Sequence, residues 1–289
     1  VQANRSETES TSSTYVQTTE FGGFTIGTNH ELNNNGYNFV AWCWKAGEDS
    51  FINTDGTIDS ECSVNQDAGF SIVSYFGTNT TSTVGHGLSE PPDVVITKSR
   101  SATSLTGWMT SHVGLQGSTY NVIVNDTDAA WQPTTNGWVA NGNSKTFTLN
   151  NGTSNGNNVN QSDVTYIAYC WHSVPGYSKM GKYVGNGNAD GPFINLGFKP
   201  AWVMVKGTSA NRSWFMYDNK RSPNNVNETP LKANALDTES TIGEDDDMDF
   251  LSNGFKIRTA GSSHSMNTSN ETFIYMAFAE APFTRTSAK

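Results

Sequence analysis

The segment Phe39-Val40-Ala41-Trp42-Cys43-Trp44 decides how the fold of this 289-residue chain is read. It is a short apolar run of aromatic and β-branched residues, and it predicts a β-strand that is buried on both faces. The later segment Tyr166-Ile167-Ala168-Tyr169-Cys170-Trp171 repeats it almost position for position. A more divergent copy, Phe273-Ile274-Tyr275-Met276-Ala277-Phe278, follows near the end of the chain. This wide spacing predicts tandem domains, whose repeated cores are filled by the markers Phe39, Trp44, Tyr166, Trp171, Phe273 and Phe278.

Shorter strands around these segments extend the repeat. Each copy is preceded by a short apolar strand and a polar loop, and we call this unit the closing hairpin. The two later copies also share an opening, because residues 92–98 and 200–206 both begin with proline and end with lysine. Proline suits the first position of a strand because it cannot donate a hydrogen bond within a sheet. Each full copy is therefore predicted to hold seven or eight strands in a two-sheet antiparallel β-sandwich of jelly-roll or lectin-like type.

The repeat spacing predicts the domain organisation. We expect a polar N-terminal arm at 1–17, a partial repeat with one closing hairpin at 18–47, a linker at 48–68, β-sandwich repeats at 69–175 and 179–284, and a tail at 285–289. A lone hairpin is marginally stable in water, so the partial repeat needs cover. We expect it to pack on the next domain or to be completed by a neighbouring subunit. A third alternative is that strands preceding residue 1 have been removed.

Composition favours an all-β protein and argues against two classes of partner. Aromatic residues make up 11% of the chain and charged residues only 15%, while Asn, Ser, Thr and Gly are abundant, which is typical of thin aromatic cores with long polar loops. The net charge of −10 disfavours nucleic acid. No apolar run approaches the length of a membrane span, so we expect no membrane insertion.

The three cysteines are not predicted to form a disulfide framework. Cys43 and Cys170 occupy the same position of two repeats and are expected to be small buried hydrophobic residues. Cys62 is expected in a polar loop, where it could pair with Cys43. The odd count argues against that pairing.

Reactive motifs are lacking in the sequence, so we expect a protein that is not an enzyme. The five histidines show no metal-ligand spacing, and no nucleophile elbow or phosphate-binding glycine pattern occurs. The densest acidic run contains Asp245, Asp247 and Asp249, which could hold Ca²⁺ through carboxylate oxygens. The alternative is a solvated loop, since the run lacks EF-hand spacing. No other cofactor is expected.

Four tryptophans divide into two groups by their place in the repeats. Trp108 and Trp214 are at equivalent positions and are expected in the core. Trp131 and Trp138 lie in a Gly-, Asn- and Pro-rich stretch that the second copy lacks. They are the candidates for a carbohydrate-binding surface, because indole rings can stack on the apolar faces of sugars.

Several phrases of the chain resemble a repeated domain of structural proteins of tailed bacteriophages, particularly marine and cyanobacterial ones. They are the closing phrases at 39–47, 166–171 and 275–283 and the phrases at 185–187, 190–193, 200–206 and 217–221. The similarity extends from about residue 18 to residue 284. It implies a virion surface protein, such as a tail fibre, an appendage or a capsid decoration, and it supplies no catalytic residues.

Residues and resemblance together give a functional hypothesis. We expect a non-enzymatic virion structural protein that contributes to host attachment or particle assembly. Its expected partners are further copies of itself (a trimer is our choice), other virion proteins and a host-surface glycan, and its expected location is the virion surface or the extracellular space. The main alternative is a secreted or surface carbohydrate-binding, lectin-like module. A glycan depolymerase is a third alternative. The argument against it is that such enzymes need two paired carboxylates, and the sequence does not single out such a pair.

Overall fold

The computed structural model describes residues 7–9, 12–20, 22–102, 107–132, 137–150, 159–239, 246–260 and 266–280. Within these ranges the chain is all-β, with twenty strands, antiparallel sheets and no helix. The described residues accordingly contain no helix that is long and apolar enough to cross a membrane. The predicted all-β class is confirmed.

The first sheet pair encloses one apolar core. Its larger sheet has seven strands in the spatial order β3 (Ser50–Asn53), β4 (Ser60–Asn65), β5 (Phe70–Phe76), β12 (Thr165–Trp171), β7 (Val94–Ser99), β8 (Met109–His112) and β9 (Val122–Ile123). The smaller sheet has the order β10 (Trp138–Ala140), β11 (Thr146–Asn150) and β6 (Ser82–Gly85). Buried side chains from both sheets form a single cluster, which gives the pair a β-sandwich-like character.

The second sheet pair has the same strand order without the two extra strands. Its larger sheet runs β13 (Ser178–Val184), β20 (Thr272–Phe278), β15 (Trp202–Gly207), β16 (Trp214–Asp218) and β17 (Leu231–Lys232). Its smaller sheet runs β14 (Phe193–Asn195), β19 (Gly254–Ile257) and β18 (Met248–Leu251). In both pairs the copy of the aromatic segment, β12 or β20, lies between the same two antiparallel neighbours.

Core contacts correspond as closely as strand order does. In the first pair Tyr75 stacks on Tyr166 with a ring-centroid distance of 5.1 Å and meets Phe147 edge-on at 6.1 Å. In the second pair Tyr183 stacks on Phe273 at 5.1 Å and meets Phe255 edge-on at 6.3 Å. Both tyrosine hydroxyls donate to a backbone carbonyl at 2.8 Å, of Val159 and Met266 respectively. The predicted strand equivalences therefore extend to individual aromatic contacts.

Side-chain alternation explains why β12 and β20 need two apolar faces. Tyr166, Ala168 and Cys170 of β12 point into the first core, while Trp171 points to the opposite face of the sheet. In β20 the same alternation sends Phe273, Tyr275 and Ala277 into the second core and Phe278 to the opposite face. The opposite faces of the two large sheets meet each other, so these strands are covered on both sides.

The N-terminal region departs from three predictions. Residues 39–44 form no strand, although the region begins with a hairpin of β1 (Val16–Glu20) and β2 (Gly23–Ile26). The predicted linker at 48–68 is wrong, since it contains β3 and β4, which extend the first large sheet. The predicted arm at 1–17 is also too long, because β1 begins at Val16. The tail at 285–289 lies outside the described residues.

All three cysteines are free, and two lie where the sequence did not predict them. Cys43 is exposed because its segment lacks a covering sheet, whereas Cys170 is buried as expected. Cys62 is buried in β4 rather than in a polar loop, and burial raises the pKa of its thiol. Burial also raises the pKa of the Cys170 thiol. Cys43 is therefore the accessible thiol of the three.

Candidate functional site

A shared apolar cluster joins the outer faces of the two large sheets, and among the described residues it is the most extensive side-chain assembly outside the two cores. Its centre is formed by the last residue of each aromatic segment. Trp44 lies 6.4 Å from Trp171 and 5.5 Å from Phe278, as measured between ring centroids. Trp202 at the start of β15 packs edge-on against Trp44 at 5.2 Å. Three sequence repeats therefore converge on one aromatic centre.

Segment 39–44 contributes to this centre with one face only. Its side chains alternate as in a strand, with Val40, Trp42 and Trp44 half-buried, and the two tryptophans pack against the cluster. Phe39, Ala41 and Cys43 point the other way and are exposed. The prediction of a strand buried on both faces is therefore wrong, while the expectation that this region packs on the following domains agrees with the contacts of the two tryptophans.

His112, at the end of β8, connects the two sheet pairs. Its Nδ1 accepts a hydrogen bond from the Gly114 N–H at 2.9 Å, so Nε2 carries the proton and donates to the carbonyl of Tyr275 at 3.0 Å. Burial lowers the pKa of His112 to about 4, because the charged imidazolium would lose its hydration. The ring is therefore neutral at pH 7 and acts as a fixed polar link.

Asp218 ends β16 at the position that corresponds to His112, and it holds segment 39–44. The Trp42 Nε1–H donates to Asp218 Oδ2 at 3.2 Å, and the same carboxylate pairs with Arg221 Nε at 2.6 Å. Burial alone would raise the pKa of Asp218, but its hydrogen bonds with Arg221 and the charge of that side chain hold it below the usual value. The Arg221 guanidinium also lies 5.8 Å from the Trp42 ring centroid, within cation–π range.

Two lysines that the repeat places at equivalent positions are both fully buried. Lys206 Nζ donates to the carbonyls of Thr127 and Gly207 at 3.1 and 2.8 Å, so it bridges the two sheet pairs. Burial lowers its pKa to about 8, against the opposing effect of Glu271 and nearby aspartates. Burial lowers the pKa of Lys98 as well. Each lysine lies one position before the end of its strand, β7 or β15, in the apolar segments that the sequence predicted from their proline starts.

A hydrogen bond that joins the two sheet pairs has a counterpart between the N-terminal residues and the first sheet pair. The Ala130 N–H donates to the Thr208 carbonyl at 2.9 Å, and the Glu9 N–H donates to the Arg100 carbonyl at 2.9 Å. Arg100 and Thr208 each stand two positions after one of the two buried lysines, so they are equivalent in the repeat. The sequence VQANRSETEST at 1–11 is also similar to LKANALDTEST at 231–241, a signal that the repeat reading missed. Glu9 thus contacts the first sheet pair as Ala130 contacts the second.

The two candidate sugar-binding tryptophans are brought to the same part of the first sheet pair. Trp131 is half-buried against the first core, and Trp138 is half-buried at the start of β10. Fully buried Asn121 joins their segments, because it donates its N–H to the Trp131 carbonyl and exchanges side-chain hydrogen bonds with both backbone groups of Val139. Trp108 and Trp214 are buried in the shared cluster, as predicted.

The acidic run shows ordinary ion pairing where it is described. Asp245 lies outside the described residues. Asp249 is half-buried in β18 with its carboxylate 3.4 Å from Arg258 Nε, and Asp247 is half-buried just before that strand. In the described ranges no three His, Cys, Asp or Glu side chains are grouped so as to hold a metal ion. The Ca²⁺ alternative stays a prediction.

Buried asparagines fix the loops before the aromatic strands, and sequence reasoning missed this role. Asn160 and Asn267 are both fully buried, and each stands six positions before the first aromatic residue of its repeat, Tyr166 or Phe273. Their side chains accept from the N–H of Thr78 and Asn186, each at 2.8 Å. Both asparagines occur in Asn-x-Ser/Thr sequences, but their burial leaves no room for a glycan. Their equal spacing with the aromatic repeat was the signal that could have revealed them.

Comparison with known proteins gives a family and no functional relative. The searches of curated proteins and of solved structures found no match. The family model described as "Domain of unknown function (DUF7483)" matches residues 1–282. Because this match covers nearly the whole sequence, the chain belongs to the DUF7483 family.

Proposed function

We propose that this chain is a non-enzymatic structural module of a tailed-bacteriophage virion, as a tail fibre, an appendage or a head decoration, with a part in particle assembly or host attachment. The observation that carries the proposal is the aromatic centre at which Trp44, Trp171 and Phe278 meet. A repeat that uses its most characteristic side chains to join neighbouring copies is suited to building an extended rigid particle component.

The finer fold assignment belongs to the same proposal. We infer that the two sheet pairs are tandem copies of one jelly-roll or lectin-like sandwich. The shared strand order and the matched tyrosine contacts support this inference. Self-association, with a trimer as the expected state, and contacts with other virion proteins are part of the same proposal.

Mass spectrometry of density-purified phage particles tests the proposal. We expect peptides of the chain in a constant ratio to the major capsid protein across gradient fractions, and antibody–gold labelling at the tail or the head surface. Recovery of the chain only in the soluble fraction of infected cells would contradict a structural role. Light scattering then tests self-association, and a lone folded monomer at micromolar concentration would argue against the trimer.

Glycan binding through Trp131 and Trp138 is the second candidate function. Its support is the pairing of their segments through Asn121, which places two half-buried indoles on neighbouring backbone. A glycan array with the wild-type chain, W131A and W138A is the test, with W108A as a control for a buried tryptophan. Specific binding that both first variants lose would support the candidate, and no binding by the wild type would reject it.

A further inference from the structure

The side chains of segment 39–44 alternate as in a strand, but the segment belongs to no sheet of the described chain. Its side chains alternate between two faces, yet residues 39–46 make no backbone–backbone hydrogen bond within the described ranges. In that part of the chain, the one polar contact to this backbone is from Asn65 Nδ2 to the Lys45 carbonyl at 3.1 Å. Both edges of the segment therefore offer unpaired N–H and C=O groups, as the edge of an open sheet does.

The equivalent strands show what is missing at those edges. In β12, Cys170 is opposite Ser71 of β5 on one side and Val95 of β7 on the other. In β20, Ala277 is likewise opposite Lys179 of β13 and Val203 of β15. Cys43 stands at the same repeat position as Cys170 and Ala277, and the described chain places no strand beside it.

The exposed face of the segment corresponds to a sandwich interior. Phe39 is 52% exposed, whereas Tyr166 at the same repeat position is fully buried. The β2 sequence Gly23-Phe24-Thr25-Ile26 is similar to β19, Gly254-Phe255-Lys256-Ile257, yet Phe24 is 41% exposed and Phe255 is fully buried. Phe24, Ile26 and Phe39 line one groove with Val16 and Leu32. The groove thus has the composition of a core that is open on one side.

We propose that this groove is half of a third sheet pair and that it binds a partner by strand addition. The partner is a polypeptide that supplies the two strands equivalent to β5 and β7, which run antiparallel to segment 39–44 on its two edges. Its side chains facing the groove are apolar, since the groove is lined by uncharged residues. The binding continues the aromatic interface that already joins the other repeats, and it does not depend on the proposed phage function.

The accessible thiol of Cys43 allows a test of this binding in register. The probe is a lysine-flanked peptide with the sequence of β5 and a cysteine in place of Ser71, activated as a thionitrobenzoate mixed disulfide. The Cys43 thiolate attacks that disulfide, forms a bond to the peptide sulfur and releases thionitrobenzoate, which is measured by absorbance. The control peptide carries the cysteine in place of Ile72, so that its sulfur points to the other face of the strand. Buried Cys62 and Cys170 do not compete.

We expect the in-register peptide to react with the wild-type chain at least about ten-fold faster than the control, and C43S to release nothing. Hydrogen exchange of residues 39–44 should slow about ten-fold on binding, while residues 166–171 stay unchanged. Equal rates for the two peptides together with unchanged exchange would overturn the proposal. Slower hydrogen exchange of residues 39–44 at higher concentrations of the chain alone would also overturn it, because the occupant would then be a second copy of this chain.

Discussion

Segment 39–44 and strand β12 share a sequence pattern and differ in almost everything else. Trp44 and Trp171 meet at the same aromatic centre, so the face that joins repeats is used in both. Cys170 is held within a seven-stranded sheet by its strand, whereas Cys43 is exposed on a segment that pairs with no strand of the described chain. The comparison teaches that an apolar run of this kind specifies which face packs where, and that the strand itself forms only when neighbours occupy its edges.

The largest expected effect comes from truncating Tyr166, compared with truncating Phe39 at the same repeat position. Y166A should lower the free energy of unfolding by about 3–5 kcal/mol, because it removes a fully buried ring from the first core. F39A should change it by less than about 0.5 kcal/mol, because this ring is exposed. Urea denaturation followed by tryptophan fluorescence measures both. Similar losses of unfolding free energy in Y166A and F39A would contradict the expected difference between the two segments.

The pH dependence of stability distinguishes the hydrogen bond of His112, which joins the two sheet pairs, from that of Asp218, which holds segment 39–44. The pKa of His112 is about 4 in the folded chain and about 6.5 when unfolded, so protons favour the unfolded state between these values. Its neutral form contributes fully above pH 6.5, and stability falls by up to about 3 kcal/mol as the pH drops to 4. Denaturation of wild type and H112Q across this window should show a flatter profile for the variant.

The matched comparison for that profile is D218N, which acts at the equivalent position of the second large sheet. The pKa of Asp218 lies below the usual aspartate value, so its contribution is present above that value and is lost as the pH falls through the folded pKa. The D218N profile should therefore run parallel to wild type from about pH 6.5 to about 5. A wild-type profile as flat as that of H112Q would show that protonation of His112 does not cause the loss of stability at low pH.

Truncation at the aromatic centre should have an intermediate effect. W44A removes ring contacts to Trp171, Trp202 and Phe278, but its side chain is only half-buried. We expect a loss of about 2 kcal/mol in the free energy of unfolding, less than for a fully buried aromatic residue. Neighbouring Lys45, with an exposed side chain, gives the control K45A, which should be neutral. A loss below about 0.5 kcal/mol for W44A would mean that the repeats are joined without it.

Much of the fold could be predicted because its aromatic strands repeat. The positions of β5, β7, β11 and β12 and of their second copies follow from short apolar runs at matching places in the two repeats. The same logic failed at residues 39–44, where the local pattern is as strong but the structure describes no strand alongside. Hydrogen bonding in a sheet is a property of at least two segments, so one segment's composition cannot establish it.

The sequence failed to predict strands β3 and β4 and the loop-fixing role of Asn160 and Asn267 for a different reason. Residues 48–68 are polar and Asp-rich, which is typical of a loop, but they pair because β5 offers a free edge in the first sheet and Ser60 and Cys62 can face a buried surface. Asn160 and Asn267 did not stand out in the sequence, because the chain is rich in asparagine. In both cases tertiary neighbours, rather than local propensity, determine the structure, and only the repeat spacing pointed to the asparagines.

The smallest expected effect concerns the hydrogen bond from Trp42 to Asp218, which joins segment 39–44 to the second sheet pair. W42F removes the donor to Asp218 and slightly shrinks the ring, while W44F only shrinks a ring of similar burial. The difference between the two losses should be about 1 kcal/mol, the usual net value of one partly exposed hydrogen bond. Asp218 keeps its ion pair with Arg221 in W42F, so no buried charge is left unpaired to enlarge the effect. Equal losses of stability in W42F and W44F would mean that ring packing alone holds segment 39–44. The strand-like alternation of its side chains would then not depend on the hydrogen bond to Asp218.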